Sequence, residues 1–329
     1  MPLSRTRRWI SARALACACA LIGVVLSPAT EADARTEALT VARAISLPGN
    51  QAYPESMAVD PGTGDVYVTS FTTGAVYRAR AGQTRAEVFL PAGTDGRTQA
   101  MGTEVDRHGR LWVDDASGVT VYDTVHGTRL ARFVSPTPGA SLLDDIDMTP
   151  DGTAYLTDSL LQLVYRLPAA TIEDTIAVAG TTTLSVGFDL NGFVAAHPQG
   201  AITLNGIESD ADGTYLITAD MASGELFRLE PATGGIRKIT VSGGTLLSAD
   251  GLLWEKNQLW AVQFASDAII RLTLSADRTT ATVTSRLGDA ALQHPTALVR
   301  LGGSLHVLRS QFGSATLDLP FSVARVSGI

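Results

Sequence analysis

Six times along the chain a polar turn is followed by a short apolar run closing on a bulky or ring-bearing residue. The phrases are DPGTGDVYV at Tyr67, DRHGRLWV at Trp112, TPDGTAYL at Tyr155, DADGTYLI at Leu216, EKNQLWAV at Trp260 and RLGGSLHV at His306. The six anchors are spaced by 45, 43, 61, 44 and 46 residues, so one length recurs and a single unit carries an insertion. A β-rich unit of that period cannot bury its own faces and must stack on its neighbours, which predicts a propeller blade. The expected fold class is therefore all-β, a six-bladed β-propeller in one domain over residues 35–329.

Within each unit, short β-type runs are bounded by Gly, Pro or Asp, as in Ser56–Val59, Val66–Val68 and Ala75–Arg78. Gly118–Tyr122, Leu163–Arg166, Gly224–Arg228 and Ala268–Arg271 occupy the same slot as Ala75–Arg78, giving three or four strands per repeat. The long interval holds a Thr- and Gly-rich stretch, Ala169 to Gly200, with room for an extra hairpin that would overhang one face. Leu39–Ala44 and Phe321–Val326 lie outside the six anchors; pairing them in one blade would close the ring and remove an open sheet edge.

Composition removes several function classes. Arg5, Arg7, Arg8 and Arg13 precede an apolar run from Ala14 to Leu26, and Ala32-Asp33-Ala34 offers a cleavage site, so residues 1–34 read as a secretory signal peptide and the mature protein as secreted, without a membrane span. Arg7-Arg8 is the only hint of a twin-arginine route. Both cysteines, Cys17 and Cys19, fall in this leader, which leaves no thiol for a metal, a disulfide or a nucleophile. Beyond it 21 basic residues face 31 acidic ones, and the only lysines are Lys238 and Lys256, so the basic stripe that a phosphate backbone requires is missing. Nucleic acid is excluded as a partner; a small-molecule substrate and a monomer are expected.

Candidate chemistry emerges from phase. Counting back 10 to 12 residues from the anchors reaches Glu55, Met101, Asp144 with Asp145, Asn205, Asp250 and His294, the positions where the innermost strands begin near the propeller axis. Three carboxylates converging on one axis would repel and protonate unless a cation neutralised them. Oxygen donors without a thiolate or imidazole cluster suit a hard divalent ion, Ca²⁺ ahead of Mg²⁺, with Mn²⁺ or Zn²⁺ as further candidates.

Pro54-Glu55-Ser56-Met57-Ala58-Val59-Asp60, Asp144-Asp145-Ile146, Asn205-Gly206-Ile207, Asp250-Gly251-Leu252 and Pro295-Thr296-Ala297 with Leu301–Val307 resemble the gluconolactonase/regucalcin family of six-bladed propellers, with paraoxonases and strictosidine synthase as more distant relatives. The resemblance implies a divalent metal, usually Ca²⁺, held by Glu55, Asn205 and Asp250, with Asp144 standing where the family carries an Asn near metal or substrate. It departs from the paraoxonases at Met101-Gly102, where a catalytic His would stand, and at Ser56, where an acid would follow the first-blade Glu.

The function these features predict is a secreted, calcium-dependent hydrolase of lactones or related esters. Asp250 or Asp144 would take the proton from water, and Asp144, Met101 and His294 would contact substrate. A non-catalytic ligand- or protein-binding propeller is the alternative, and condensation or lyase chemistry in the same pocket a third class.

Overall fold

The computed structural model describes residues 39–329, so the leader expected at residues 1–34 and both cysteines lie outside the described residues. Strand β1 (Thr40–Ser46) precedes the first blade, which comprises β2 (Pro54–Val59), β3 (Val66–Ser70), β4 (Val76–Ala79) and β5 (Glu87–Leu90). Blade two is β6 (Thr103–Val105), β7 (Arg110–Asp115), β8 (Gly118–Asp123) and β9 (Arg129–Val134). Blade three runs β10 (Leu143–Met148), β11 (Ala154–Asp158) and β12 (Leu163–Leu167), then passes through helix α1 (Ala169–Ala177) and β13 (Thr181–Thr183) before its outer strand β14 (Ser185–Asp189). Blade four is β15 (Leu204–Ser209), β16 (Leu216–Asp220), β17 (Glu225–Glu230) and β18 (Gly235–Ser242). Blade five is β19 (Ala249–Glu255), β20 (Gln258–Gln263), β21 (Ala268–Leu274) and β22 (Thr280–Gly288). Blade six combines β23 (Pro295–Leu301), β24 (Ser304–Arg309) and β25 (Ser322–Ser327) with β1.

Six apolar clusters fill the six interfaces between consecutive blades. That arrangement explains the sequence pattern: β3, β11 and β16 are buried on both faces and read as continuous apolar runs, whereas the outer β18 and β22 alternate between buried and exposed positions. The anchors are the residues of the second strands that face the inner strands. Tyr67 pairs with Ala58, Trp112 with Glu104, Tyr155 with Asp147, Trp260 with Leu253 and His306 with Val299. In blade four the residue in this register is Ile217, opposite Glu208, one position after the Leu216 that the sequence pattern singles out.

The connection in blade three differs from the expected extra hairpin. Its helix and β13 form a detour in which β13 adds in parallel to β9 of blade two, and β14 is the blade's own fourth strand. Outer strands also join in parallel between blades four and five, through β18 and β22. Between blades six and one, Ser46 bridges Arg85, with the Ser46 amide donating to Thr84 O at 2.9 Å. Among the described residues no helix is long and apolar enough to cross a membrane.

Ring closure is made by β1, antiparallel to β25 with Thr40 opposite Ser327 and Ser46 opposite Ser322. The strand brings Ile45 into the blade-six/blade-one core and satisfies an otherwise open edge. Deleting residues 39–46 should lower the melting temperature by on the order of 10 °C, since several kcal/mol at a few degrees per kcal/mol is lost. Scanning calorimetry of the truncated chain tests this, and an unchanged transition would contradict a closing role for the strand.

Candidate functional site

Five of the six inner strands make a β-bulge near their start, and the register shift falls at the same place in blades one, three, four, five and six. The bulge fixes the second residue of the strand: Glu55, Asp144, Asn205, Asp250 and, in blade six, Thr296. Blade two places Met101 at the same phase, two residues before Thr103 of the β6–β7 pair. Neighbouring blades meet here without room for a side chain. A Cβ on Gly102 would lie 2.6 Å from Asp144 O, on Gly206 2.5 Å from Asp250 O, and on Gly251 2.6 Å from Thr296 O. The Gly102 amide in fact donates to Asp144 O at 2.7 Å. Asn205-Gly206 and Asp250-Gly251 are thus strand residues in close contact with the next blade, with glycine needed for approach and not for a turn.

Glu55, Asp144, Asn205 and Asp250 line one cavity of about 300 Å³ along the axis, although each is less than a tenth exposed. Burial, together with the charges of Asp144 and Asp250, holds the Glu55 carboxyl far above the usual range. Asp250 is displaced in the same direction by burial and by Asp144 and Asp145. Burial raises Asp144 to about 6, and the Ser159 hydroxyl works against that rise. Ser159 Oγ lies against both Asp144 Oδ2 and Leu204 O, and its one proton cannot serve both acceptors. Among the described residues Glu55 Oε2 is buried without a hydrogen-bond partner, and so is Thr296 Oγ1. Asn205 directs its amide NH₂ to Met221 Sδ at 3.3 Å.

A second tier of acids lies deeper, three positions further along the strands: Glu104, Asp147 and Glu208, with Asp145 between the tiers. Most of this tier laces inner strands together. Asp145 Oδ2 accepts from the Ile207 amide at 3.1 Å, Asp147 Oδ2 from the Ser209 amide at 2.6 Å, and Glu208 Oε2 from the Trp254 amide at 3.4 Å. Burial pushes Asp145 up to about 7 in spite of those bonds. Asp114 was not anticipated from the sequence. It occupies the slot where blades one and three carry Thr69 and Thr157, whose hydroxyls accept from the bulge amides of Ser56 and Asp145. Asp114 is fully buried with both carboxylate oxygens unpartnered among the described residues, in the field of Asp145 and Asp144. Its signal was legible as an acid two residues after an anchor, where the other blades place Thr or apolar residues.

Met101 is only 4 % exposed and is not among the residues lining the cavity, contrary to the substrate contact expected of it. His294 stands on the rim two residues before Thr296, its Nδ1 3.2 Å from Phe264 O. In the long connection His197 Nε2 contacts Asp220 Oδ2 at 2.7 Å, which pins residues 190–203 to blade four. Asp220 also accepts from the Ala222 amide, and Asp158 caps the Leu160 amide from the matching end of β11, so this carboxylate belongs to the blade's turn as much as to the histidine. Among the described residues no three His, Cys, Asp or Glu side chains form a ready-made metal-ligating group. What unites the ring is a shared cavity wall, mutual repulsion and an orphaned carboxylate oxygen, a donor set of the kind that a hard cation satisfies.

No family model matches the chain, and no curated protein does either. Solved structures do. The calcium-binding protein regucalcin of Agrobacterium tumefaciens superposes with a TM-score of 0.60 at 14% identity over 87% of this chain and 95% of its own. The chain shares its propeller fold. A luciferin-regenerating enzyme gives 0.61 at 14% identity over 88% and 96% of the two chains, and virginiamycin B lyase of Staphylococcus aureus 0.58 at 12% over 88% and 99%. At such identities the likeness is one of fold.

The raised carboxyls set the sign of a pH effect. The unfolded chain ionises Asp144 and Asp145 near pH 4, whereas the folded one keeps their protons until about 6 and 7. Chelator-treated protein should therefore lose stability as pH rises from about 4 to 7, by on the order of a few kcal/mol. Asp145→Asn should flatten that slope in urea titrations taken at each pH. A variant with the wild-type slope would remove Asp145 from the account.

Proposed function

We propose that the protein is a hydrolase of lactones or related esters that works with a divalent cation, Ca²⁺ first among them, at the Glu55–Asp144–Asn205–Asp250 end of the channel. The observation that carries this reading is the convergence of three buried carboxyls and one amide in a single cavity, each carboxyl raised by burial and by neighbouring acids. The regucalcin match supports the choice of ion, since that protein is described as calcium-binding.

Glu55, Asn205 and Asp250 would hold the cation, Glu55 through the oxygen that otherwise lacks a partner. When bound, the ion supplies Lewis acidity toward a carbonyl oxygen and makes a nearby water more acidic. The chain's own part is to orient and to move a proton. Asp144, held at about 6, exchanges a proton near neutral pH, the range that suits a general base toward water and a general acid toward the leaving oxygen. Asp250 is the second carboxyl able to accept a proton at the same end of the cavity. Thr296 Oγ1, buried without a partner among the described residues, would donate to a substrate oxygen. Secretion after cleavage near Ala34 is part of the same proposal and is read from the leader alone.

Calorimetric titration of chelator-stripped protein should show binding of Ca²⁺ in preference to Mg²⁺, Mn²⁺ and Zn²⁺. Affinity should weaken as pH falls from 7 to 5, because the ligand carboxyls must shed protons to bind. Hydrolysis of a panel of aldonolactones, aliphatic lactones and aryl esters should be abolished by EDTA, and Asp250→Asn should reduce it by roughly 10²-fold or more. Turnover indifferent to both chelator and substitution would refute the proposal.

A further inference from the structure

The rim above the carboxylate ring is asymmetric. In blades five, six and one the residue two positions before the ring residue is left-handed: Ser248 at φ 61°, His294 at φ 55° and Tyr53 at φ 35°. The matching residues of blades two, three and four, Gln99, Leu142 and Thr203, are not. A positive φ is unusual for a bulky aromatic residue such as Tyr53, and backbone strain of this kind collects where a site is being shaped.

Over these three blades five rings gather from five separate loops. Phe312 is central: it stacks on Tyr53 at 6.1 Å and 11°, meets Phe71 edge-on at 5.2 Å and lies 6.2 Å from Phe264, which in turn lies 5.2 Å from His294. Backbone hydrogen bonds register the rings with the carboxylates. The Phe264 amide donates to Ser248 O at 3.0 Å, two residues before Asp250, and the Phe71 amide to Tyr53 O at 3.1 Å, two residues before Glu55. The Gln311 amide, next to Phe312, donates to Gln293 O at 3.0 Å. All five side chains are half-buried, and Phe71, Phe264 and Phe312 belong to none of the six blade cores. Three phenylalanines held at one rim without a core to fill leave apolar faces beside the reactive end of the channel.

We propose that Tyr53, Phe71, Phe264, Phe312 and His294 form an aromatic wall that selects substrates carrying a planar, apolar group next to the carbonyl. The substrate class is then aryl esters and benzo-fused lactones, not polyhydroxylated sugar lactones, whose hydroxyls find few partners on such a wall. This rests on the hydrolase reading for the bond that is cleaved, but the wall makes a separate claim about binding.

The test compares dihydrocoumarin, γ-butyrolactone and D-glucono-δ-lactone in the wild type, Phe312→Ala and Phe264→Ala, with melting curves as the folding control. Dihydrocoumarin should be the preferred substrate. Phe312→Ala should raise its KM roughly 10-fold while leaving γ-butyrolactone within about 2-fold, as loss of one stacking partner implies. Preference for the sugar lactone, or an equal loss on all three substrates, overturns the wall. Should no substrate turn over, binding of coumarin to the wild-type protein decides: calorimetric binding weakened about 10-fold in Phe312→Ala upholds the wall and condemns only the hydrolase reading. No binding of coumarin condemns both. Should Phe312→Ala fail to fold, Phe264→Ala carries the same comparison.

Discussion

The structure turns on the contact between neighbouring inner strands, where a backbone carbonyl of one blade sits in the space a side chain would take on the previous one. Gly102, Gly206 and Gly251 make that approach possible, and the carbonyls they admit belong to Asp144, Asp250 and Thr296. Because the side chains of those same residues face the axis, the packing that builds the channel also fixes which groups meet inside it. The bulge at the start of five of the six inner strands repeats the placement from blade to blade.

That placement is electrostatically costly. Glu55, Asp144, Asp145 and Asp250 are carried into a poorly hydrated space in which Asp144 and Asp145 raise the carboxyls of Glu55 and Asp250, and among the described residues Arg300 is the one basic residue in the cavity lining. A chain under selection for stability alone would replace such groups with apolar ones, as the deeper positions of blades one, five and six do with Ala58, Leu253 and Val299. The deeper acids differ in kind, since Asp145, Asp147 and Glu208 accept from backbone amides of the next blade and so help to hold the ring together.

Much of this was legible in the sequence because the repeat length and the anchors are set by burial. A second strand packed on both faces has to be apolar, and the turn before it has to be polar. The phase of Glu55, Asp144, Asn205 and Asp250 followed from the same count. Blade six was harder: counting back from His306 reached His294, whereas the bulge puts Thr296 at the ring position, because the two-residue turn Gly302-Gly303 shortens the hairpin. The insertion in blade three was visible as length but not as structure, since β13 is defined by a pairing with β9 more than forty residues away. Asp114 left only the trace of an acid two residues after an anchor, and its isolation depends on what surrounds it and not on its neighbours in the chain. The aromatic rim left no periodic trace at all, because its rings come from loops.

The outer edges add a mechanical consequence. Blades six and one are bridged at Ser46 and Arg85, two and three through β13 and β9, and four and five through β18 and β22, and the other three seams lack such stitching among the described residues. The outer edge is thus joined strand to strand at alternate seams, and side-chain bonds such as Asp147 to the Ser209 amide and Arg300 to Glu255 cross the seams between. Asn205 and Asp250 belong to one edge-joined pair of blades, Glu55 to another and Asp144 to the third, so the ring residues are drawn from all three pairs.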